Sequence, residues 1–134
     1  GRIKESDAKK LRKFPNVEVT GELENISIAV SDARLGVCPV RLAAGVQNKV
    51  LEYMALGIPV ISSPIGLEGF QAIPGKDLFL ANTPEEYFTS IMKIWEDEKL
   101  REFLSINGRK YVESYHRWED QLKPFVKKVK EIIK

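Results

Sequence analysis

Three short apolar runs constrain the fold of this chain more than any other feature. Leu35–Val40, Ile58–Ser62 and Leu78–Ala81 are too short for core helices, and each is bounded by turn-forming residues. Compact runs without polar alternation are the pattern of strands buried on both faces, as in a parallel sheet. Between the first two, Val46, Val50, Leu51, Met54 and Ala55 recur at helical spacing, and Gly57 supplies a stop. Strand, helix, strand in that order predicts an α/β fold: a Rossmann-like parallel sheet with flanking helices. Ligands of such sheets bind outside the carboxyl ends of the strands. The residues that follow Val40 and Ile61 are therefore the ones to inspect, together with those after Val19.

The remainder of the chain fits around this unit. Ser6–Phe14 is charged and helix-compatible, and Pro15-Asn16 stops it. Val17-Glu18-Val19 alternates and ends at Thr20-Gly21, which predicts a strand entering a loop. Ile26, Ile28, Ala29 and Val30 suit a short helix behind Glu24-Asn25. Thr83-Pro84-Glu85-Glu86 is a helix start, with a cap residue, proline at the first position and acids at the positive end of the dipole. That helix should run to about Trp95, a second from near Glu98 to about Tyr115, and a third from near Trp118 toward Lys134 across Pro124. The expected organisation is one domain over 1–134, an α/β portion (1–82) followed by C-terminal helices (83–134).

Composition excludes several function classes. A net charge of +2 is too small to argue for nucleic acid, and the lysines between Lys127 and Lys134 read as a solvated helix face. One cysteine and one histidine preclude an intrachain disulfide framework and make a protein-built metal site an unsuitable expectation. No apolar run reaches the ~18–20 residues of a membrane span, and no signal peptide is expected. Cys38 reads as a core residue inside its strand, and His116 as a capping or packing residue at a helix junction. Trp95, Tyr111 and Trp118 read as helix-packing aromatics.

The chemistry is concentrated between Pro39 and Gly66. There a small-residue loop, Arg41-Leu42-Ala43-Ala44-Gly45, leads into the predicted helix, and a second glycine loop, Ser63-Pro64-Ile65-Gly66, follows the next strand. Small residues let backbone N–H groups approach a ligand, and a helix N-terminus favours an anion. Arg41 and Lys49 add positive charge beside it. Glu52, one turn further on, is spaced to accept hydrogen bonds from a ribose. Gly66 is placed to admit a ligand, and Glu68 in the same stretch is a lesser candidate.

At these residues the chain resembles the group-1 (family four) glycosyltransferases of the GT-B fold. Their donor-binding domain carries a segment of the form Glu-Gly-Phe-Gly-Leu-Pro-x-Leu-Glu-Ala-Met-Ala-x-Gly-x-Pro-Val. Gly45, Leu51, Glu52, Met54, Ala55, Gly57, Pro59 and Val60 fall in register with it. Asn16–Gly21 and Gly75–Leu78 match its flanks. The resemblance implies the C-terminal half of a GT-B fold, N-terminally truncated, in which Gly1 aligns with the glycine ending an earlier strand. It implies a retaining, metal-independent transferase without a cofactor, using a UDP- or GDP-sugar. The acceptor would be a glycan or lipid bound through the N-terminal domain. In this reading Glu52 holds the ribose, the backbone of Gly45, Val46, Gln47 and Asn48 holds the pyrophosphate and sugar, and Glu22 and Leu23 lie near the base. Lys49 and Arg41 are the expected catalytic residues, neutralising charge on the departing diphosphate. Polysaccharide biosynthesis in the cytoplasm, free or peripheral at the inner membrane face, is the implied setting, and the fragment alone is expected to be inactive.

Two departures from the pattern stand out. Ala44 occupies the position of the family's first glutamate, which contacts the donor sugar, and Val46-Gln47-Asn48-Lys49 replaces Phe-Gly-Leu-Pro. The first keeps open a second reading, a non-catalytic α/β binding or interaction module. A receiver-like or flavodoxin-like module is disfavoured, because no acidic cluster ends an early strand.

Overall fold

The computed structural model describes residues 3–42 and 46–132, without the side chains of residues 118–121 and 125. The chain divides into two compact units, Gly1–Asp32 and Ala33–Lys134.

The first unit contains α1 (Glu5–Leu11) and α2 (Ile26–Ala29). Glu5 and Asp7 stand in the first turn of α1 and Lys9 and Lys10 in its last, matching the helix dipole. The single turn of α2 forms where expected because Asn25 caps it, its Oδ1 accepting from the Ser27 N–H at 2.9 Å. Val17-Glu18-Val19 is not a strand. Alternation assigns a face but supplies no partner, and the described residues of this unit include no strand to pair with.

The second unit holds a three-stranded parallel sheet, β1 (Gly36–Cys38), β2 (Val60–Ser62) and β3 (Phe79–Leu80), in the order β1-β2-β3. Gly36 is in register with Val60, and Ile61 with Phe79. All of β2 is buried. β1 departs from the expectation of burial on both faces: it buries Gly36 and Cys38 but leaves Val37 38% exposed. Helix α3 (Asn48–Ala55) crosses between β1 and β2 and is terminated by Gly57, whose φ of 73° lies in the left-handed region. Then follow α4 (Pro84–Glu96), α5 (Glu98–Tyr115) and α6 (Trp118–Ile132), which continues across Pro124.

Alternation along the strands builds two cores. On one face Cys38, Val60 and Leu78 meet Val50 and Met54 of α3 and Tyr111 of α5. On the other, Ile61 and Ala81 meet Ile94 of α4 and Leu104 of α5. Positions 104 and 111 are about two helical turns apart, so one helix serves both clusters. A capping box starts α4: Thr83 Oγ1 accepts from the Glu86 N–H at 3.2 Å, and Glu86 reaches back to the Thr83 N–H at 3.3 Å. Asp97 ends α4 and caps α5, accepting from the Leu100 N–H at 2.9 Å. Arg101 closes the corner by donating to the Ile94 carbonyl at 2.9 Å. Trp95 departs from its expected packing role: it is 49% exposed, with the Arg34 guanidinium 4.6 Å from its ring centroid. The side chain of Trp118 lies outside the described residues.

Candidate functional site

Because the sheet is parallel, its carboxyl ends bring three loops together. β1 leads into Pro39–Arg41, β2 into Ser63–Gly66 and β3 into Ala81-Asn82. Ser63 joins the first two. Its hydroxyl donates to the Val40 carbonyl at 2.6 Å and accepts from the Gly66 N–H at 3.0 Å. Gly66 is buried, and a Cβ there would stand 2.3 Å from Ser62 Oγ, so a larger residue would have to displace that hydroxyl. A cavity of about 270 Å³ opens here between Arg41, Ser63, Ile65, Asn82 and Tyr87. Tyr87 buries its hydroxyl with no hydrogen-bond partner among the described residues, and burial raises its pKa. A polar group held that way calls for a water or a ligand.

The N-terminus of α3 faces the same end of the sheet. Gln47 is its N-cap residue but does not cap it through its side chain, and no acid stands in the first turn. No side-chain cap from Gln47 occupies the first-turn amides of α3. Lys49 is exposed, and its charge reaches the end of β1: burial pushes the Cys38 thiol up to about 11, and Lys49 pulls in the opposite direction. A thiol held protonated in this way is a packing group. Glu52 is exposed one turn beyond Asn48 and Lys49.

Arg41, Val46, Gln47, Asn48, Lys49, Glu52 and Gly66 all lie in the second unit, where Arg41 lines the cavity beside Tyr87 and the others do not. Gly45 lies outside the described residues. Glu22 and Leu23 belong to the other unit, where both are exposed after Gly21.

A second cavity, of about 580 Å³, lies between the start of α3 (Val46, Asn48, Leu51), Gly69 and Gln71, and the end of α5. Its wall is held by a link that sequence reasoning does not reveal. The Tyr111 hydroxyl accepts from the Gln71 N–H at 2.8 Å and lies 3.0 Å from His116 Nε2. His116 caps α5 and sets its ring edge-on to Phe70, with centroids 5.7 Å apart. Burial lowers the His116 pKa, which favours the neutral ring that can accept from Tyr111. Tyr111→Phe leaves the part-buried Gln71 N–H without its acceptor, and a loss of about 1–3 kcal/mol in unfolding free energy is expected. Urea titration measures it, and a change below about 0.5 kcal/mol would mean that the loop is held by packing alone.

Comparison with known proteins identifies the family and the fold. The family described as Glycosyl transferases group 1 matches residues 1–97, and the chain belongs to it. The Uncharacterized glycosyltransferase MJ1069 of Methanocaldococcus jannaschii is 26% identical over 89 residues, which make up 62% of this chain and 22% of that protein. Sucrose-phosphate synthase from Thermosynechococcus elongatus superposes with a TM-score of 0.80 at 23% identity, over 96% of this chain and 33% of the synthase. The C-terminal domain of the glycosyl transferase group 1 family protein LpcC from Francisella tularensis gives a TM-score of 0.67 at 18% identity, over 85% of this chain and 60% of that domain. The structural likeness establishes the fold, a parallel sheet with flanking helices as in GT-B C-terminal domains. Among the described residues no helix is long and apolar enough to cross a membrane.

Proposed function

We propose that this group 1 glycosyltransferase chain binds the sugar donor, a nucleoside diphosphate sugar, for a retaining transferase that needs no metal. The observation that carries the reading is the start of α3. Its first-turn amides carry no side-chain cap from Gln47, the charge of Lys49 reaches Cys38 of β1, Arg41 follows that strand, and Glu52 stands one turn along. Amides at a helix N-terminus suit the diphosphate, and Glu52 as an acceptor-only carboxylate suits ribose hydroxyls. In this reading Gly66 and the backbone from Val46 to Asn48 attend the sugar and phosphates. In the same reading Lys49 and Arg41 meet the charge on the leaving diphosphate. The acceptor, a glycan or lipid in polysaccharide assembly, is held by the rest of the protein, in the cytoplasm where nucleotide sugars are supplied.

The test is an amide NMR titration with uridine diphosphate and guanosine diphosphate. One of the two is expected to shift Val46 through Glu52 together with the loop at Gly66, and the one that does identifies the base. A folded sample in which neither nucleotide moves those amides overturns the reading.

A further inference from the structure

We propose that the cavity where the three strands end is a second binding site of this chain, one that takes a single anionic group, a phosphate or a carboxylate. It is separate from the start of α3 and stands whether or not the sugar donor binds there.

Three successive loops of the second unit wall the cavity. Arg41 follows β1, Ser63 and Ile65 follow β2, and Asn82 follows β3, with Tyr87 on the first turn of α4. The crevice outside the carboxyl ends of parallel strands is where such sheets bind ligands. No residue of α3 lines it, and it shares no lining residue with the 580 Å³ cavity beside that helix. Arg41 is the one residue that it has in common with the donor reading. At about 270 Å³ it falls below the ~300–1,000 Å³ of pockets that bury a whole drug-sized ligand, so it suits one group of a molecule rather than a nucleotide.

The polar groups around it fix the charge of its occupant. Ser63 is already engaged, donating to the Val40 carbonyl and accepting from the Gly66 N–H. That leaves the Arg41 guanidinium, the Asn82 side-chain amide and the Tyr87 hydroxyl. The hydroxyl is buried without a partner among the described residues, and the raised pKa keeps its proton in place to be donated. Arg41 is cationic and donates only, and the Asn82 amide offers two further N–H bonds. No acid lines the cavity. Glu86, next to Tyr87, is turned to the start of α4, its Oε2 accepting from the Asn82 N–H at 2.6 Å and the Thr83 N–H at 3.3 Å. Donors from three side chains, one of them charged, with no acid beside them favour an anion over a neutral or cationic group.

These donors are held before any ligand arrives. The Tyr87 ring packs on the core cluster that contains Ile61 and Ile94, and Ser63 ties the loops after β1 and β2 together. A phenylalanine would pack there as well and leave no buried hydroxyl unpaired. What the hydroxyl adds is a preorganised donor to a bound group.

Titration of the full chain, followed through its amide NMR signals, tests the site with inorganic phosphate, glucose 6-phosphate, glucuronate and neutral methyl glucoside at fixed ionic strength. At least one of the three anions should shift Val40, Ser63, Ile65, Asn82 and Tyr87, and methyl glucoside should not. A sugar anion that binds at least about 10-fold more tightly than phosphate identifies the occupant as a charged group of a glycan substrate; equal affinities identify it as the free ion. Tyr87→Phe should weaken anion binding by about 10-fold, while its urea midpoint in anion-free buffer stays at or above that of wild type. Arg41→Gln should abolish the shifts. If no anion moves those amides, or if Tyr87→Phe binds the anion as wild type does, the assignment is overturned. Nucleoside diphosphates are read at Val46 through Glu52, so failure of the donor reading leaves this test intact. Phosphate shifts confined to Val46 through Glu52 would overturn the second site alone.

Discussion

Lys49→Ala should lower kcat by about 100- to 1,000-fold while the donor KM changes by less than about fivefold. The asymmetry follows from where charge develops. In the bound donor the diphosphate is esterified at both ends; as the glycosidic bond breaks, a further negative charge grows on the departing phosphate oxygen. A cation at the start of α3 meets that new charge, adding to the helix dipole, and so acts mainly in the transition state. Lys49 is exposed in the free chain, where water screens it; a bound donor displaces that water and strengthens the interaction. Lys49→Arg keeps the charge and should recover part of the rate, losing the rest to geometry. Alanine is the better helix former, so the substitution does not weaken α3. A normal kcat in Lys49→Ala, or a KM that rises as far as kcat falls, would show that this lysine is either a solvated residue or a uniform binding contact.

The parts of this architecture that were legible in the sequence are those written in contiguous residues. Thr83 and Glu86 are three apart, and the capping box that they form needs nothing from the rest of the chain. Gly57 ends α3 by its own backbone conformation. The short runs at Val60–Ser62 and Phe79–Leu80 are strands because each lies between helices that cover both faces. What was not legible depends on partners far along the chain. Val17–Val19 has the alternation of a strand but no ladder. The run around Val37 has the composition of a strand buried on both faces, yet Val37 is 38% exposed, and composition does not say which residue of a run faces outward. Trp95 looks like a core aromatic until Arg34, distant in sequence, is found over its ring.

The candidate site divides the same way. Arg41, Lys49 and Glu52 are readable as candidates because they sit in one strand-loop-helix segment. Ser63 bonds Val40 across 23 positions and Tyr111 bonds Gln71 across 40, separations that no local pattern records. Tyr87 looks like any apolar helix residue in sequence, and only burial of its hydroxyl beside Asn82 and Arg41 sets it apart.

Met54→Ala should destabilise the fold by about 2–5 kcal/mol, a large share of the ~5–15 kcal/mol that holds a domain together. Met54 is 1% exposed and sits where α3, α5 and the sheet meet, among Val50, Val60, Leu78 and Tyr111. Opposite it on α5 is Gly108, whose missing Cβ would lie 3.5 Å from Met54 Cγ. The thioether thus fills the space that glycine leaves, and after truncation no side chain at position 108 can move in. The cavity therefore persists, and the cost belongs near the upper part of the range. Met54→Leu keeps most of the volume and should cost less than about 1.5 kcal/mol. Urea midpoints of the two variants against wild type measure both effects. The pair also separates stability from function, because Met54 points into the core while Lys49 and Glu52 face solvent from the same helix. At a temperature where Met54→Ala is still folded, its nucleoside diphosphate affinity should match that of wild type. If affinity falls with stability intact, α3 is positioned by this one contact; if alanine costs no more than leucine, α5 does collapse onto the sheet and the packing described for Gly108 is wrong.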